Sequence, residues 1–395
     1  MSVRETYQHD EVSFEDLEND PYPTYKRWRR ERPIGYLPDM QSWMVTGWED
    51  CETIGAAGDS VDGFSEGAIR YFGHNILNID GAPHKQLRAS IDASLKPKTV
   101  RQYIERLARP IAKEYVSRIR ERGSVDATTG LLELVSVRVV ANVLGLAEQP
   151  DETLQRWFID LNAGLNNFMQ DPDVLVRAET AKAESADFSR ERLAELLKTP
   201  DETTFAHMLL SNTPDGQPRS FEDLIGTIWV MILGGFQEPG HAAAASLLGV
   251  LEDREQYAAV RGDLSLIPAA IHEGLRWIAP FGFAQRRIVK DLEVGGVVIP
   301  AGDEVQLILA SANRDETRYE NPDKFDLFRP RLPVASFGYG SHFCAGHFLS
   351  RELEKVTFEE MFTQLPNLRL DPQSAPVITG FGVRGVKHLP VVWDD

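Results

Sequence analysis

Apolar residues recur along most of the chain at the spacing of amphipathic helices. This periodicity and the helix-forming composition predict helices over residues 100–122, 131–144, 179–197, 223–251 and 266–278. Alternation of apolar and polar residues is rarer, and it predicts strands and turns within residues 34–45, 292–309 and 375–392. The chain has no internal repeat and no Gly/Ser/Pro-rich linker. The pattern therefore predicts a mainly α protein with small β-sheets, folded as a single domain over residues 1–395.

Composition and charge narrow the possible classes of function. The 395 residues are 42% hydrophobic and 26% charged, as in ordinary globular proteins, and the net charge is −18. We expect no binding to nucleic acid or to anionic membranes, since both need a basic surface. The longest apolar stretch, residues 225–236, is too short to span a bilayer. The polar N-terminus has no apolar signal core, so we expect a cytoplasmic protein.

Two cysteines, Cys51 and Cys344, limit the possible metal chemistry. They exclude a disulfide framework and any zinc or iron–sulfur site with several cysteine ligands. Cys51 is interpreted as a packing residue. Cys344 lies in the glycine-rich run FGYGSHFCAGHF, which leads into a helical pattern. A thiolate at this junction would receive backbone N–H groups and the positive end of the helix dipole.

Several roles for Cys344 compete. Packing as a small buried residue is the commonest role of a lone cysteine. A nucleophilic pair with His342 is conceivable, but side chains at i and i+2 do not face each other on a helix. Zinc would need more soft ligands than one cysteine and scattered histidines offer. Ligation of haem iron by a thiolate explains the single cysteine, the glycines and the following helix together.

The run Phe337-Gly338-x-Gly340-x-His342-x-Cys344-x-Gly346 resembles the haem-binding loop of the cytochrome P450 family. A second match lies upstream, where Glu273 and Arg276 in HEGLRW resemble the Glu-x-x-Arg pair of that family. In the family this pair is joined by an arginine before the cysteine, which would be Arg329 here. The resemblance follows sequence order over essentially the whole chain, and it implies the P450 fold.

The resemblance implies a haem b cofactor with Cys344 as the axial ligand of the iron. Phe337, Gly338 and Gly346 would belong to the loop that holds it. Four basic side chains resemble those that bind the haem propionates, namely His84, Arg88, Arg287 and His342. His84 and Arg88 lie at i and i+4, which places them on one helical face.

The long apolar helix departs from the family pattern at Gln237-Glu238-Pro239. The family usually has an acid followed by Thr here, beside the oxygen-binding face of the haem. Proline cannot donate an N–H and clashes with the carbonyl of Gly235, so we expect a kink and a carbonyl freed for water. Thr227 lies roughly 18 Å away along an ideal helix and cannot substitute. Proton delivery is therefore assigned to Glu238, Gln237 and ordered water.

Two interpretations of this departure compete. Peroxide-using P450s that act on fatty acids carry Arg-Pro at this point, but Glu238 would repel a substrate carboxylate. The runs GGFQEPGH, EGLRW and GFGVRG instead resemble bacterial P450s that O-demethylate guaiacols derived from lignin. This second resemblance implies oxidation of a methoxy carbon with O2, giving a catechol and formaldehyde. Hydroxylation of another small apolar compound, such as a terpene or polyketide, and a non-catalytic haem sensor remain alternatives.

The same resemblance implies an apolar pocket for a small aromatic ring. Each of its residues is also open to interpretation as plain core packing. The predicted wall is formed by Phe72, Leu165, Val230, Leu233, Gly234, Phe281, Ala284, Gln285 and Val383. Leu165 and Val383 stand where guaiacol demethylases have phenylalanines, which predicts a wider pocket.

Electrons must come from another protein, because the chain has no flavin or nicotinamide fingerprint. The resemblance implies NAD(P)H oxidation by a separate reductase with flavin and an iron–sulfur centre, or a ferredoxin. Arg329 and Arg331 are candidates for docking an acidic partner, and pairing within the fold is the equal alternative.

Overall fold

The computed structural model describes residues 2–63, 66–167 and 170–394, most of which lie in helices. The helices are α1 (Val3–Thr6), α2 (Phe14–Asn19), α3 (Tyr22–Glu31), α4 (Trp48–Gly55), α5 (Glu66–Phe72), α6 (Gly81–Leu95), α7 (Pro97–Ile119), α8 (Glu133–Leu144), α9 (Asp151–Leu165), α10 (Pro172–Leu196), α11 (Thr204–Leu210), α12 (Phe221–Phe236), α13 (Glu238–Glu252), α14 (Arg254–Gly262), α15 (Ile267–Trp277), α16 (Leu309–Ala312) and α17 (His347–Gln364). None of these helices is both long enough and apolar enough to cross a membrane.

The strands are short and form four small sheets within the described residues. They are β1 (Ile34–Leu37), β2 (Ser42–Val45), β3 (Val61–Gly63), β4 (Ser124–Asp126), β5 (Ala284–Ile288), β6 (Leu292–Val294), β7 (Val297–Ile299), β8 (Glu304–Leu307), β9 (Arg369–Leu370), β10 (Val377–Thr379), β11 (Gly385–His388) and β12 (Pro390–Val392). The largest sheet has the order β1-β2-β8-β5-β3, in which β2 and β8 are parallel. The other three sheets are β10-β11, β4-β12-β9 and β6-β7.

Helix α13 lies at the centre of the helical core. Residues 239–250 of this helix are all buried, and small side chains dominate its sequence. At Gly274 of α15, an added Cβ would lie 2.1 Å from Ser246 Oγ of α13, so glycine is required for this approach. Helix α17, which follows Cys344, packs against both α7 and α15. The cysteine is therefore attached to the most buried part of the molecule.

The predicted helices and strands are present, with differences in their bounds, such as α7, which spans Pro97–Ile119 instead of residues 100–122. The helix predicted over residues 223–251 is divided at Gln237 into α12 and α13, in agreement with the break expected from Pro239. Helix α10 begins at Pro172 instead of residue 179, because the Asp171 side chain accepts hydrogen bonds from the first backbone N–H groups. The segment predicted over 131–144 begins earlier, with a π-helical turn over residues 128–132.

Candidate functional site

The Cys344 loop is shaped by glycines. It follows a 3₁₀ turn over Gly340–His342, and Gly346 is the N-cap of α17. Gly340 has a φ of 66°, and a Cβ there would lie 2.0 Å from the carbonyl oxygen of Gly55, so a larger residue does not fit. The backbone N–H of Cys344 donates to the carbonyl of Phe337 at 2.8 Å, which closes the loop.

Cys344 faces an interior space. The residue is exposed, yet the surrounding protein desolvates it enough to raise the pKa of its thiol. Backbone hydrogen bonds from Gly346 and His347, at the start of α17, act in the opposite direction and lower this pKa. The sequence predicted this contact between sulfur and the N–H groups of a helix start. Cys51, by contrast, is fully buried, and its thiol donates to the carbonyl of Val45.

A buried ion-pair network supports the chain that leads to the loop. Glu273 accepts two hydrogen bonds of 2.8 Å from Arg276, and Arg329 Nε donates to the same carboxylate at 3.0 Å. The three residues meet as the resemblance implied. Arg276 and Arg329 also donate to carbonyls of residues 320–324. Arg329 therefore pairs within the fold, and its docking role is not supported, whereas Arg331 is exposed.

Two histidines lie together beside the loop. The rings of His84 and His342 are 4.4 Å apart between centroids, and His342 Nε2 lies 2.8 Å from Asp80 Oδ1. Desolvation, followed by the nearby His342, lowers the pKa of His84 to about 4. The buried Nε2 of His84 has no hydrogen-bond partner among the described residues. A buried polar nitrogen of this kind is expected to have a partner.

Arg88, one turn after His84 in α6, is attached to the cysteine loop itself. Its Nη1 donates to the carbonyl of Phe343 at 2.6 Å, and its Nε pairs with Asp92 at 2.7 Å. The charge of Arg88 lowers the pKa of Cys344. Helix α6 therefore brings both predicted residues to the same edge of the loop.

Strand β5 turns Arg286 inward and Arg287 outward. Arg286 is buried, desolvation lowers its pKa to about 10, and its charge lowers the pKa of His342. Arg287 is exposed and lies 3.4 Å from Glu304. Successive side chains of a strand point to opposite faces. The charge of Arg286 therefore acts on His342, while the charge of the predicted Arg287 acts on the neighbouring Asp62, where it opposes the rise in pKa caused by desolvation.

The break between α12 and α13 lies near the loop, since the charge of Glu238, at the start of α13, acts on Cys344. Pro239 leaves the Gly235 carbonyl without its helical donor, and Ser136 Oγ of α8 donates to it at 3.4 Å. Thr227 is buried and accepts a hydrogen bond from the N–H of Ile76, so its hydroxyl group already has a partner away from the helix break.

Glu238 directs its carboxyl group to the same interior space as Cys344. Desolvation raises the pKa of Glu238 to about 7, and its Oε2 has no partner within residues 2–63, 66–167 and 170–394. This oxygen is 3.9 Å from where a Gly234 Cβ would lie, and Gly234 is exposed near the C-terminal end of α12. The charge of Glu238 raises the pKa of Cys344, so the two groups are close. Gln237 is half-buried at the break, and its carbonyl accepts the N–H of His241.

These residues fit a haem group. The loop offers a single exposed thiol, and the nearby helix break offers glycines and one acid. His84, Arg88, Arg286 and His342 gather at one edge, where they suit carboxylates. The partnerless nitrogen of His84 is the most specific sign, because a buried imidazole edge needs an acceptor or donor that the protein does not supply.

The predicted pocket residues form three groups. Phe281 and Val383 are joined by a backbone bridge, supported by the hydrogen bond from Gly282 N to Gly382 O at 2.8 Å. On α12, Val230 and Leu233 are half-buried and share the face of Gly234. Ala284 and Gln285 are half-buried in β5, which continues the first group.

The remaining two pocket residues lie around α5. Phe72 is buried, and its ring is 5.6 Å from that of Trp229. Leu165 lies against α5, since its Cδ1 would be 3.6 Å from a Cβ at Gly67. Trp229 was not predicted as a pocket residue, because its only signal in the sequence is its place one residue before Val230 on the apolar helix.

Comparison with known proteins places these features in a family context. The model of the cytochrome P450 family matches residues 178–376. The cytochrome P450 monooxygenase PikC of Streptomyces venezuelae is 27% identical over 398 positions, covering 96% of this chain and 92% of its own. The steroid C26-monooxygenase of Mycobacterium tuberculosis is 29% identical and covers 80% of this chain and 85% of its own.

Solved structures agree with the fold. CYP109E1 from Bacillus megaterium in complex with corticosterone superposes with a TM-score of 0.85 at 21% identity, covering 97% of this chain and 100% of that chain. CYP109Q5 from Chondromyces apiculatus gives a TM-score of 0.82 at 27% identity, covering 96% of this chain and 97% of its own. The predicted mainly α fold with small sheets is confirmed.

Proposed function

The chain belongs to the cytochrome P450 family of haem-thiolate monooxygenases, and we propose that it O-demethylates small methoxyaromatic compounds of the guaiacol or 4-alkylguaiacol type. One O2 and one NAD(P)H, with a proton, would convert the aryl methyl ether to a catechol, formaldehyde and water. We also propose that residues 1–395 form one domain that encloses the haem. The proposal of a methoxyaromatic substrate is based on the Gln237-Glu238-Pro239 run and the residues around it.

We assign the haem-binding roles as follows. Cys344 would supply the thiolate that holds the haem iron, in the loop that includes Phe337, Gly338 and Gly346. The carboxylates of haem b would be bound by His84, Arg88, His342 and Arg286, the last of these in place of Arg287. When bound, haem supplies a thiolate-ligated iron at which O2 is activated.

The observation that carries the proposal is the placement of Glu238. It is a desolvated acid beside Gly234, directly after the helix break, where the resembling demethylases have the same Gln-Glu-Pro-Gly-His run. Because its pKa is raised to about 7, Glu238 is partly protonated near neutral pH and can donate a proton. Gln237 and Pro239 set the backbone that presents it.

Apolar walls support a small aromatic substrate. Phe72 beside Trp229 and Phe281 beside Val383 offer aromatic and branched surfaces, and Val230 and Leu233 line the helix between them. Such surfaces orient a ring by stacking and edge contacts. Orientation of the methyl carbon is the main catalytic task of these residues.

A second candidate is hydroxylation of a larger apolar compound. Relatives of this chain carry names such as steroid C26-monooxygenase and 6-deoxyerythronolide B hydroxylase, at 29% and 26% identity. Leu165 and Val383, which stand where guaiacol demethylases have phenylalanines, leave room for such a substrate. In the guaiacol demethylases, the phenylalanines at these two positions would fill this volume.

Turnover products separate the two candidates. With a reductase and NAD(P)H, guaiacol, 4-alkylguaiacols and syringols should yield one formaldehyde for each catechol formed. Corticosterone serves as the large apolar control and should be oxidised poorly. If methoxyphenols bind but give only ring- or chain-hydroxylated products, the demethylase function is wrong.

We propose a docking site for the electron donor next to the cysteine loop. A groove of about 250 Å³ is lined by Pro268, Ile271, His272, Arg331, Phe348, Arg351, Glu352 and Lys355. Arg351 lies 4.4 Å from the Phe337 ring centre, so the groove is in contact with the loop.

Replacement of Arg331 tests this docking site. Arg331→Glu should raise the KM for an acidic ferredoxin about tenfold at low salt, and replacement of the exposed Arg261 by Glu should not. Equal KM values for the two variants would contradict this site.

A further inference from the structure

Lys182 of α10 lies where three helices meet. Its Nζ donates to the carbonyl of Tyr71 at 2.8 Å and lies 4.7 Å and 5.1 Å from the ring centres of Tyr71 and Trp229. The nearest carboxylate, on the well-exposed Glu179, is 3.9 Å away. The ammonium group thus donates one short hydrogen bond to a backbone oxygen and lies over two aromatic faces, while its ion pair with the exposed Glu179 is long.

The carbonyl of Tyr71 is one of the last in α5. Helix α5 ends at Phe72 and is followed by Gly73, whose φ is 71°. The final carbonyls of a helix have no partner within it, and they carry the negative end of the helix dipole. A cation that donates to such a carbonyl therefore caps the helix and holds its end in place.

The chain around this cap packs closely on α12. The N–H of Ile76 donates to Thr227 Oγ1 at 3.1 Å, and a Cβ at Gly226 would lie 2.4 Å from the carbonyl oxygen of His74. Trp229 Nε1 donates to Ser185 Oγ at 3.1 Å. Since Ser185 and Lys182 are one turn apart in α10, this helix binds both α12 and the end of α5.

The Tyr71 side chain fills the space between α9 and α10. Its hydroxyl is buried and has no partner in the part of the chain that the structure describes. A Cβ on Gly164 would lie 2.3 Å from this oxygen, so the ring is in close contact with α9. Phe72 is the next residue, and its ring lies between those of Tyr71 and Trp229, at 4.7 Å and 5.6 Å.

We propose that Lys182 is a positioning residue that fixes the Phe72 wall of the substrate site and thereby slows the escape of an aromatic ligand. Lys182 does not touch the substrate; it holds the end of α5 against α10 and α12. The inference rests on the proposed function only in taking the space beside Phe72 as the substrate site.

Three variants test this role in the ferric holoenzyme. Lys182→Met keeps the side-chain stem and removes the charge and the donor, Lys182→Arg retains both, and Lys198→Met alters an exposed lysine just after α10. The probes are 4-phenylimidazole, whose ring must pass the pocket wall, and cyanide, which is too small to need it. Both bind at the haem whatever the natural substrate is.

We expect Lys182→Met to raise the dissociation rate constant of 4-phenylimidazole about tenfold, since loss of a cation–π contact and a charged hydrogen bond is of that order. Cyanide dissociation should change less than about twofold. Lys182→Arg should remain within about threefold of the parent, and Lys198→Met should match it. Equal rates for Lys182→Met and the parent, or equal acceleration of both probes, would overturn the proposal.

Hydrogen exchange gives a readout that needs no ligand. Amides in a peptide spanning residues 66–76 should exchange about tenfold faster in Lys182→Met, while peptides of α13 should not change. Faster exchange throughout the molecule would mean that Lys182 merely stabilises the fold, and the proposal would be wrong. A failure of methoxyphenols to bind the parent enzyme would refute the proposed substrate without affecting these measurements.

Discussion

The two faces of the haem site are built on opposite principles. On the cysteine side, hydrogen bonds and ion pairs hold the loop and its support, from the Phe337 carbonyl that accepts the N–H of Cys344 to the carboxylate of Glu273 between two arginines, and the unpartnered Nε2 of His84 is an exception. On the opposite side, an apolar helix is broken and one acid, Glu238, has an oxygen without a partner. The first face can hold a ligand in one geometry, while the second keeps a group free to exchange a proton.

This difference indicates where substitutions act. The cysteine loop and its ion-pair network are held by several hydrogen bonds at once. Removal of one of these groups is therefore expected to damage cofactor binding and stability together. On the helix-break side α13 is itself buried, but the Glu238 carboxyl has an oxygen without a partner, so its replacement is expected to alter rates while the protein remains folded. The predictions below test this separation.

Replacement of Cys344 has the largest expected effect. Cys344→Ala removes the only thiol in the loop, so the reduced protein with CO should lose its thiolate-type spectrum and monooxygenase activity should be abolished. Cys51→Ala is the matched control, because this thiol is buried against the Val45 carbonyl. It should retain both properties. A thiolate-type CO spectrum in Cys344→Ala would refute the ligand assignment.

Glu273→Gln should cause the next largest effect, this time on stability. The substitution leaves Arg276 and Arg329 buried with no carboxylate between them, which is expected to cost about 3–5 kcal/mol. In the control, Glu114→Gln, the lost partner is the exposed Arg118, and the change should be below about 1 kcal/mol. Urea unfolding and haem content are measured for both variants. Equal urea midpoints for Glu273→Gln and Glu114→Gln would contradict the view that this ion-pair network stabilises the cysteine side.

The cysteine side was also the easier one to predict from sequence. Its glycines, Cys344 and the start of α17 are contiguous, and Glu273 and Arg276 lie one turn apart, so local spacing contains the geometry. Arg286 was missed because the pairing of β5 with β3 and β8 decides which arginine points inward. Sequence spacing alone does not fix that register.

The helix-break side depends on contacts between distant segments. Pro239 predicted the break correctly, but nothing near it indicates that Ser136, about a hundred residues earlier, donates to the freed carbonyl. The contact of Lys182 with Tyr71 spans 111 residues and is equally invisible in the sequence. An N-cap is a local signal by comparison, and Asp171 with Pro172 could have placed the start of α10.

Glu238→Gln tests the function of the unpartnered acid. Proton donation requires the protonated form, so the parent kcat should fall as pH rises above about 7, where Glu238 ionises. The amide cannot donate in this way, and kcat should drop roughly 100-fold at pH 6.5 with no step near pH 7. Gln237→Ala, its matched neighbour, should lower kcat far less. A retained step in Glu238→Gln would assign it to another group.

The same substitution, which is expected to lower kcat, should raise the stability of the fold at high pH. Burial raises the pKa of Glu238 to about 7, so the folded parent holds this proton more tightly than the unfolded chain does. The parent therefore loses stability as pH rises from about 4.5 to 7, by about 3 kcal/mol if the shift applies in full. Glu238→Gln should be free of this loss and become more stable relative to the parent at pH 8 than at pH 5. Urea unfolding at the two pH values measures the difference, and a constant difference would be inconsistent with a desolvated acid.

The smallest expected effect concerns the carbonyl that Pro239 leaves free. Ser136→Ala removes the hydroxyl that donates to Gly235 at 3.4 Å, and it should cost about 1 kcal/mol or less. Ser246→Ala is a matched control, because its partner, the Ala242 carbonyl, already lies in a regular helix, and its cost should be smaller.

A double-mutant cycle tests whether Ser136 compensates for the proline. In a Pro239→Ala background, the new N–H can donate to the Gly235 carbonyl, so Ser136→Ala should then cost less than in the parent. The coupling in this double-mutant cycle, measured by urea unfolding, tells whether Ser136 compensates for the proline; additive costs would mean that it does not.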